Sequence, residues 1–269
     1  MNIVPLALYA AAFIGYALHF ARRTPVSARL ATTTLAAATL AHTFIIGMQT
    51  MQVGQVPVFD MKSAISMFVW LLAVAYLYTE VTTDERAMGV FILPLVIALQ
   101  LIPAFKSGAD NGVVHSAVLR GPLFGIHVSS LLFAYASFAL ACVIGITYVL
   151  LFKEIKTKHL GVFYARLPSL QVLDQMNQRA IVVGWVFLTI GLIAGFVFAL
   201  EAHVPAMSIE DPKIFVALVS WVVYSFELFA ARRIGWAGRK TALVSALGFA
   251  IVLLNFTFIS YFLTSSHKF

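Results

Sequence analysis

Charge is scarce in this chain and cysteine almost absent. Charged residues make up 11% of the 269, and hydrophobic residues 61%. A soluble domain carries about 25% charged residues, so a water-soluble globule is excluded and an integral membrane protein is indicated. Cys142 is the only cysteine. An intramolecular disulfide, a CxxC redox pair and a CxxCH attachment motif are therefore all ruled out, and Cys142 reads as a small core hydrophobe. No HExxH motif or dense His/carboxylate cluster supports a zinc site. There is no low-complexity segment, no convincing internal repeat and no long linker. One membrane domain over 1–269 is the economical reading. The apolar runs do not alternate with polar residues, which excludes a barrel. No basic stretch precedes the first run, so it reads as an uncleaved anchor and not a signal peptide.

What is there is apolar helix. A membrane span takes about 20 apolar residues, and the sequence offers about eight: 3–20, 28–50, 64–81, 87–105, 122–152, 180–200, 214–231 and 241–263. The expected fold is an all-α polytopic bundle. The fifth stretch exceeds a bilayer's need and is expected to tilt or project as a continuous helix. Segment 153–179 mixes basic residues with Leu160, Val162, Phe163 and Tyr164, as an interfacial helix does. Leu167-Pro168-Ser169 reads as a break, with Ser169 able to cap the next helix.

The net charge of +7 follows the loops. Arg22, Arg23 and Arg29 follow the first span and Arg86 the third. Lys153, Lys156, Lys158, Arg166 and Arg179 follow the fifth; Arg232, Arg233, Arg239 and Lys240 follow the seventh. Together these are 13 of the 18 basic residues. Basic loops stay cytoplasmic, so both termini are expected outside. Anionic lipid headgroups are a sufficient partner for these loops, and nucleic acid is not needed to explain them.

This topology gathers five of the seven histidines toward the outer side: His42, His115, His127, His203 and His267. His42 falls about eight residues before its span ends, roughly 12 Å deep at about 1.5 Å per residue. It is either a ligand or a neutral imidazole bonded to a neighbouring helix. His127 lies just after Pro122, ahead of Ser129, Ser130 and Tyr135. His203 and His115 sit in outer loops, and His267 in the tail. His19 and His159 fall on the basic side. Glu227 lies where it could pair with Arg232 or Arg233, or serve a proton path. Gly191 and Gly195 have the GxxxG spacing of close helix packing. A neutral imidazole is a good axial donor to haem iron, and two can clamp it from both faces.

Several motifs carry a resemblance. The run His127-Val128-Ser129-Ser130 leading to Tyr135-Ala136-Ser137 resembles the helix opening of CcsA-type cytochrome c assembly proteins. Their haem-handling superfamily includes HemX-like and YpjD-like membrane proteins. Leu167-Pro168-Ser169-Leu170, Leu173-Asp174, Gly184 and Leu188-Thr189-Ile190-Gly191 follow in order. So do Asp211-Pro212-Lys213, Trp221 with Tyr224, Gly235-Trp236-Ala237-Gly238-Arg239-Lys240, Gly248-Phe249 and the tail ending at His267. The match is clearest over 122–269.

The resemblance implies a bundle that binds haem b non-covalently and handles it at the outer face. Two outer histidines ligate haem in the family's cytochrome-assembly members, and they match His127 and His267. His42 and His203 are further candidate contacts. Two departures point to the HemX-like or YpjD-like branch. The stretch Ala202 to Glu210 lacks the family's tryptophans, and Phe229 stands where relatives carry a membrane-embedded histidine. The expected function is thus a haem-binding protein of c-type cytochrome biogenesis in a bacterial inner membrane, with outer loops facing the periplasm or exterior. Its expected partner is an assembly protein or apocytochrome, and it is not expected to act as a stand-alone enzyme. The alternatives are a HemX-like regulator of a haem-biosynthesis enzyme, contacting it through 153–179, and a transporter of haem or another small solute. The sequence shows neither the inverted repeats nor the broken helix pairs usual in transporters.

Overall fold

A computed structural model describes residues 3–58, 60–105, 121–158, 161–202 and 212–254. Among these residues the chain is helical throughout its regular structure: α1 Ile3–Arg22, α2 Pro25–Val53, α3 Met61–Thr83, α4 Gly89–Phe105, α5 Pro122–Thr157, α6 Val162–Arg166, α7 Leu170–Ala202, α8 Pro212–Phe229 and α9 Arg239–Leu254. Six of them, α1, α2, α3, α5, α7 and α8, are long and apolar enough to cross a membrane. The helix α4 has 17 residues, and α9 has 16 among those described.

Short polar signals set the boundaries. Thr24 and Ser27 form a capping box that brackets Pro25, a residue suited to the first turn of α2. Gly54, at φ 78°, ends α2 in the left-handed region where glycine has no steric penalty. Asp60 accepts from the backbone N–H groups of Lys62 and Ser63 to start α3. Ser169 does cap α7: its hydroxyl accepts from Val172 N–H at 3.3 Å. That helix begins at the Leu167-Pro168-Ser169 break, as the sequence predicts, and its polar first turns precede the apolar span at 180 because Asp174, Asn177 and Arg179 find partners on other elements. The interfacial segment is shorter than expected, a single five-residue helix, α6. Glu154, near the end of α5, accepts from the backbone N–H groups of Gly161 and Tyr164 at 3.1 and 2.9 Å and caps it.

The core runs along α5, whose most extensive interface is with α7, followed by that with α9. Along α2, Leu35, Ala38 and His42 are fully buried while Leu40 and Phe44 stay about 70% exposed, one face to the bundle and one to lipid. At 36 residues, α5 spans about 54 Å, well beyond a hydrocarbon core of about 30 Å. Its last turns carry Lys153, Glu154 and Lys156, so the helix continues unbroken beyond its apolar stretch, the continuous helix that the sequence predicts. Gly145 lets α9 come close: a Cβ there would sit 2.7 Å from the Ala242 carbonyl oxygen.

Candidate functional site

His127 lies in the second turn of α5, half-buried against α7. Its Nδ1 is 2.7 Å from the carbonyl oxygen of Gly191. A carbonyl only accepts, so Nδ1 carries the hydrogen and Nε2 keeps its lone pair. Among the described residues no hydrogen bond engages Nε2. This is the arrangement that orients a metal-ligating imidazole: one nitrogen tied to a fixed acceptor, the other available as donor. Gly195 makes the space. A Cβ at Gly195 would lie 2.5 Å from both Cε1 and Nδ1 of the ring. The GxxxG pair thus does more than bring two helices together, since Gly191 orients the histidine and Gly195 accommodates it.

His42 is placed differently. It is fully buried, and both ring nitrogens are engaged, Nδ1 with the Tyr9 hydroxyl at 3.1 Å and Nε2 with the Ser66 hydroxyl at 3.0 Å. Tyr9 also meets the imidazole edge-on, with centroids 5.7 Å apart. The imidazole joins α1, α2 and α3. The helix α2 runs on to Val53, which leaves His42 about three turns from its end, deeper than the eight residues expected. His42 and His127 are not joined by any hydrogen bond. Their ends of the bundle do meet: Val56, in the connection after α2, lies 3.5 Å from where a Gly125 Cβ would be. His203 and His267, with His115 and His159, lie outside the described residues.

Two buried carboxylates form polar clusters that composition gives little sign of. Glu80, 1% exposed, accepts hydrogen bonds from the Tyr16 hydroxyl and, at 2.6 Å, from Thr32. Arg86 donates to the same threonine oxygen at 3.0 Å. Sequence reading missed Glu80; its only signal is an acid in the last turns of an apolar run, four residues after a tyrosine. Glu227 is also 1% exposed. It does not pair with Arg232 or Arg233 as the simpler expectation had it. Ser245 donates to it at 2.8 Å and accepts from the Asn177 amide at 2.9 Å. Glu227 faces the three-helix junction of α7, α8 and α9, whereas the two arginines lie in the π-helical turn Ala230–Ile234. Phe229, beside that turn, is 55% exposed and directed away from the bundle interior.

The motifs that carry the resemblance meet in space. Gly191 meets His127. Thr189 accepts from the Trp221 indole at 2.9 Å. Asp174 accepts from Gly238 N–H at 2.9 Å and from the Thr241 hydroxyl at 3.0 Å, fastening the start of α9 to α7. Tyr224 stacks on Phe138 with ring centroids 3.6 Å apart. Each pair is a tie between helices, so the recurring motifs describe one three-dimensional frame around α5 and α7.

A family model described as cytochrome C assembly protein matches residues 64–267. That reaches back through α3 and α4, beyond the stretch where the motifs are clearest. Proteins named cytochrome c biogenesis protein CcsA are similar across most of the chain. The one from Trieres chinensis is 26% identical, over 84% of this chain and 81% of its own length. The one from Chlorella vulgaris is 27% identical over 74% and 72%, and that from Gloeobacter violaceus 23% over 98% and 94%. With three quarters of its length matched by that model, the chain belongs to the cytochrome c assembly protein family.

Proposed function

We propose that this chain, a haem-handling membrane protein of c-type cytochrome biogenesis, holds a non-covalent haem b at the end of the bundle where α5 begins. The observation that carries this reading is His127. Its Nδ1–H is fixed on Gly191, its Nε2 lone pair is available, and Gly195 leaves room for the ring. Those features fit an axial donor to haem iron. His267 is the proposed second ligand, and His203 a further contact. His42 fits less well, because both its nitrogens are already bonded within the protein; its geometry favours a packing role. Bound haem would supply the iron and the vinyl groups that cytochrome maturation requires. The protein's part is to bind, orient and shield it, with an assembly partner or apocytochrome receiving it.

The proposal extends to topology. Eight helices, α1–α5 and α7–α9, would cross a bacterial inner membrane, with both termini and the His127 end outside. The basic loops support this orientation. The test is spectroscopic. The full chain is purified from haem-replete cells and examined for a Soret band. His127→Ala and His267→Ala are each expected to reduce or shift it. Wild-type spectra in both variants would remove the axial assignment. Folded wild-type protein that never carries haem would favour the HemX-like regulatory alternative, acting through the cytoplasmic loop 153–179.

A further inference from the structure

The basic end of the bundle contains a formed pocket, and its donors are arranged for an anion. A polar depression of about 300 Å³ lies where the end of α1, the α3–α4 connection and the α6–α7 connection meet. His19, Arg23, Arg86 and Arg166 line it, with Asp84 and Glu85. Both acids are already engaged by the pocket's own backbone and by Arg86. Asp84 pairs with Arg86 at 2.9 Å. One Glu85 carboxylate oxygen accepts from the backbone N–H groups of Arg86 and Ala87, both at 2.9 Å. Arg166 uses only Nη1, donating to the Phe20 and Ala21 carbonyls at 3.1 and 2.8 Å. This offsets the negative end of the α1 dipole and fixes the guanidinium, with Nε and Nη2 left to donate. Arg23 makes no side-chain hydrogen bond or ion pair among the described residues. Its backbone, at φ 51°, is in the left-handed region, as is that of Asp84 at φ 54°. Two non-glycine residues in that region set the shape of the rim.

We propose that this pocket binds a phosphate group, held between Arg23 and Arg166 with His19 alongside. Arginine's planar fork matches phosphate oxygens, and its donors are strongest when both partners are charged. The group can come from an acidic phospholipid in the leaflet at this end, or from free phosphate. The site is independent of the haem-ligand reading and lies at the other end of the helices from His127.

The experiment uses the full chain in phosphatidylcholine nanodiscs. Phosphatidylglycerol is added in one arm and inorganic phosphate in the other. Bound lipid is counted by native mass spectrometry, and thermal unfolding is followed in both arms. The wild type is expected to retain one phosphatidylglycerol, or to be stabilised by phosphate, and the responding arm identifies the source. Arg23→Gln breaks no internal hydrogen bond and should fold. It is expected to weaken retention at least about tenfold, the size of one hydrogen bond to a charged group. Arg166→Gln should act in the same direction; if it fails to fold, Arg23→Gln carries the test alone. Lys156→Gln removes a charge from the same end outside the pocket and should change little. Equal responses of wild type and Arg23→Gln in both arms would overturn the site. So would a Lys156→Gln loss as large as that of Arg23→Gln, because the attraction would then be diffuse.

Discussion

At the residue scale, the described histidines divide by what their second nitrogen does. His127 donates through one nitrogen and keeps the other; His42 has both engaged. The difference predicts opposite phenotypes. His42→Ala leaves the Tyr9 and Ser66 hydroxyls without their buried partner and opens a cavity, at a cost of about 2–4 kcal/mol. The variant is expected to melt at lower temperature while its folded fraction keeps wild-type haem content. A loss of haem without a loss of stability would instead make His42 a ligand. Gly195→Ala tests the other side. The added methyl would overlap the His127 ring, so the imidazole must turn and lose its bond to Gly191. Haem per folded protein should fall at least about tenfold, the effect expected when a hydrogen bond that orients a ligand is removed. An unchanged Soret band in Gly195→Ala would mean the ring's present position does not matter.

At the element scale, helix existence is legible, and helix ends are legible where a proline or a capping side chain marks them. Among the described residues each of the eight apolar runs holds a helix, the structure that satisfies every backbone group within a single apolar segment. The start of α7 is legible in the Leu167-Pro168-Ser169 break, but its first ten residues look solvated in sequence. In the fold Asp174 binds α9, Asn177 binds Ser245, and Arg179 donates to the Thr82 carbonyl at the end of α3. The buried state of Glu80 and Glu227 was hidden for the same reason: their partners lie on other helices. A single sequence records a polar residue but not the neighbour that satisfies it. His127 was legible through its motif, whereas the roles of Gly191 and Gly195 needed the packing of α5 on α7. The Asp174 tie can be tested at this scale. Asp174→Ala removes an acceptor at the first turn of α9, where a cap is worth typically about 1 kcal/mol. The expected result is a lower melting temperature together with faster amide exchange confined to the first turns of α9. Uniformly faster exchange would show that α9 does not depend on this contact.

For the whole molecule, charge and geometry make one joint claim about orientation. The pocket formed by Arg23, Arg86 and Arg166, the extended end of α5 and the Asp174–Gly238 tie all lie at the basic end. His127 and the connection after α2 lie at the other. Moving charged loops across a bilayer is unfavourable, and lysine and arginine near span ends set the orientation of such proteins. The basic end should therefore face the cytoplasm. Cys142 is the only native thiol, so replacing it with alanine gives a clean background for labelling. Gln52→Cys places a thiol on an exposed residue in the last turn of α2, and Lys156→Cys places one on an exposed residue in the last turn of α5. In intact cells a membrane-impermeant maleimide is expected to label the first and not the second, with the second reacting only after the membrane is opened. The reverse pattern would invert the bundle. It would put His127 on the cytoplasmic side, where haem is made, and turn the proposed outward delivery into uptake from the site of synthesis.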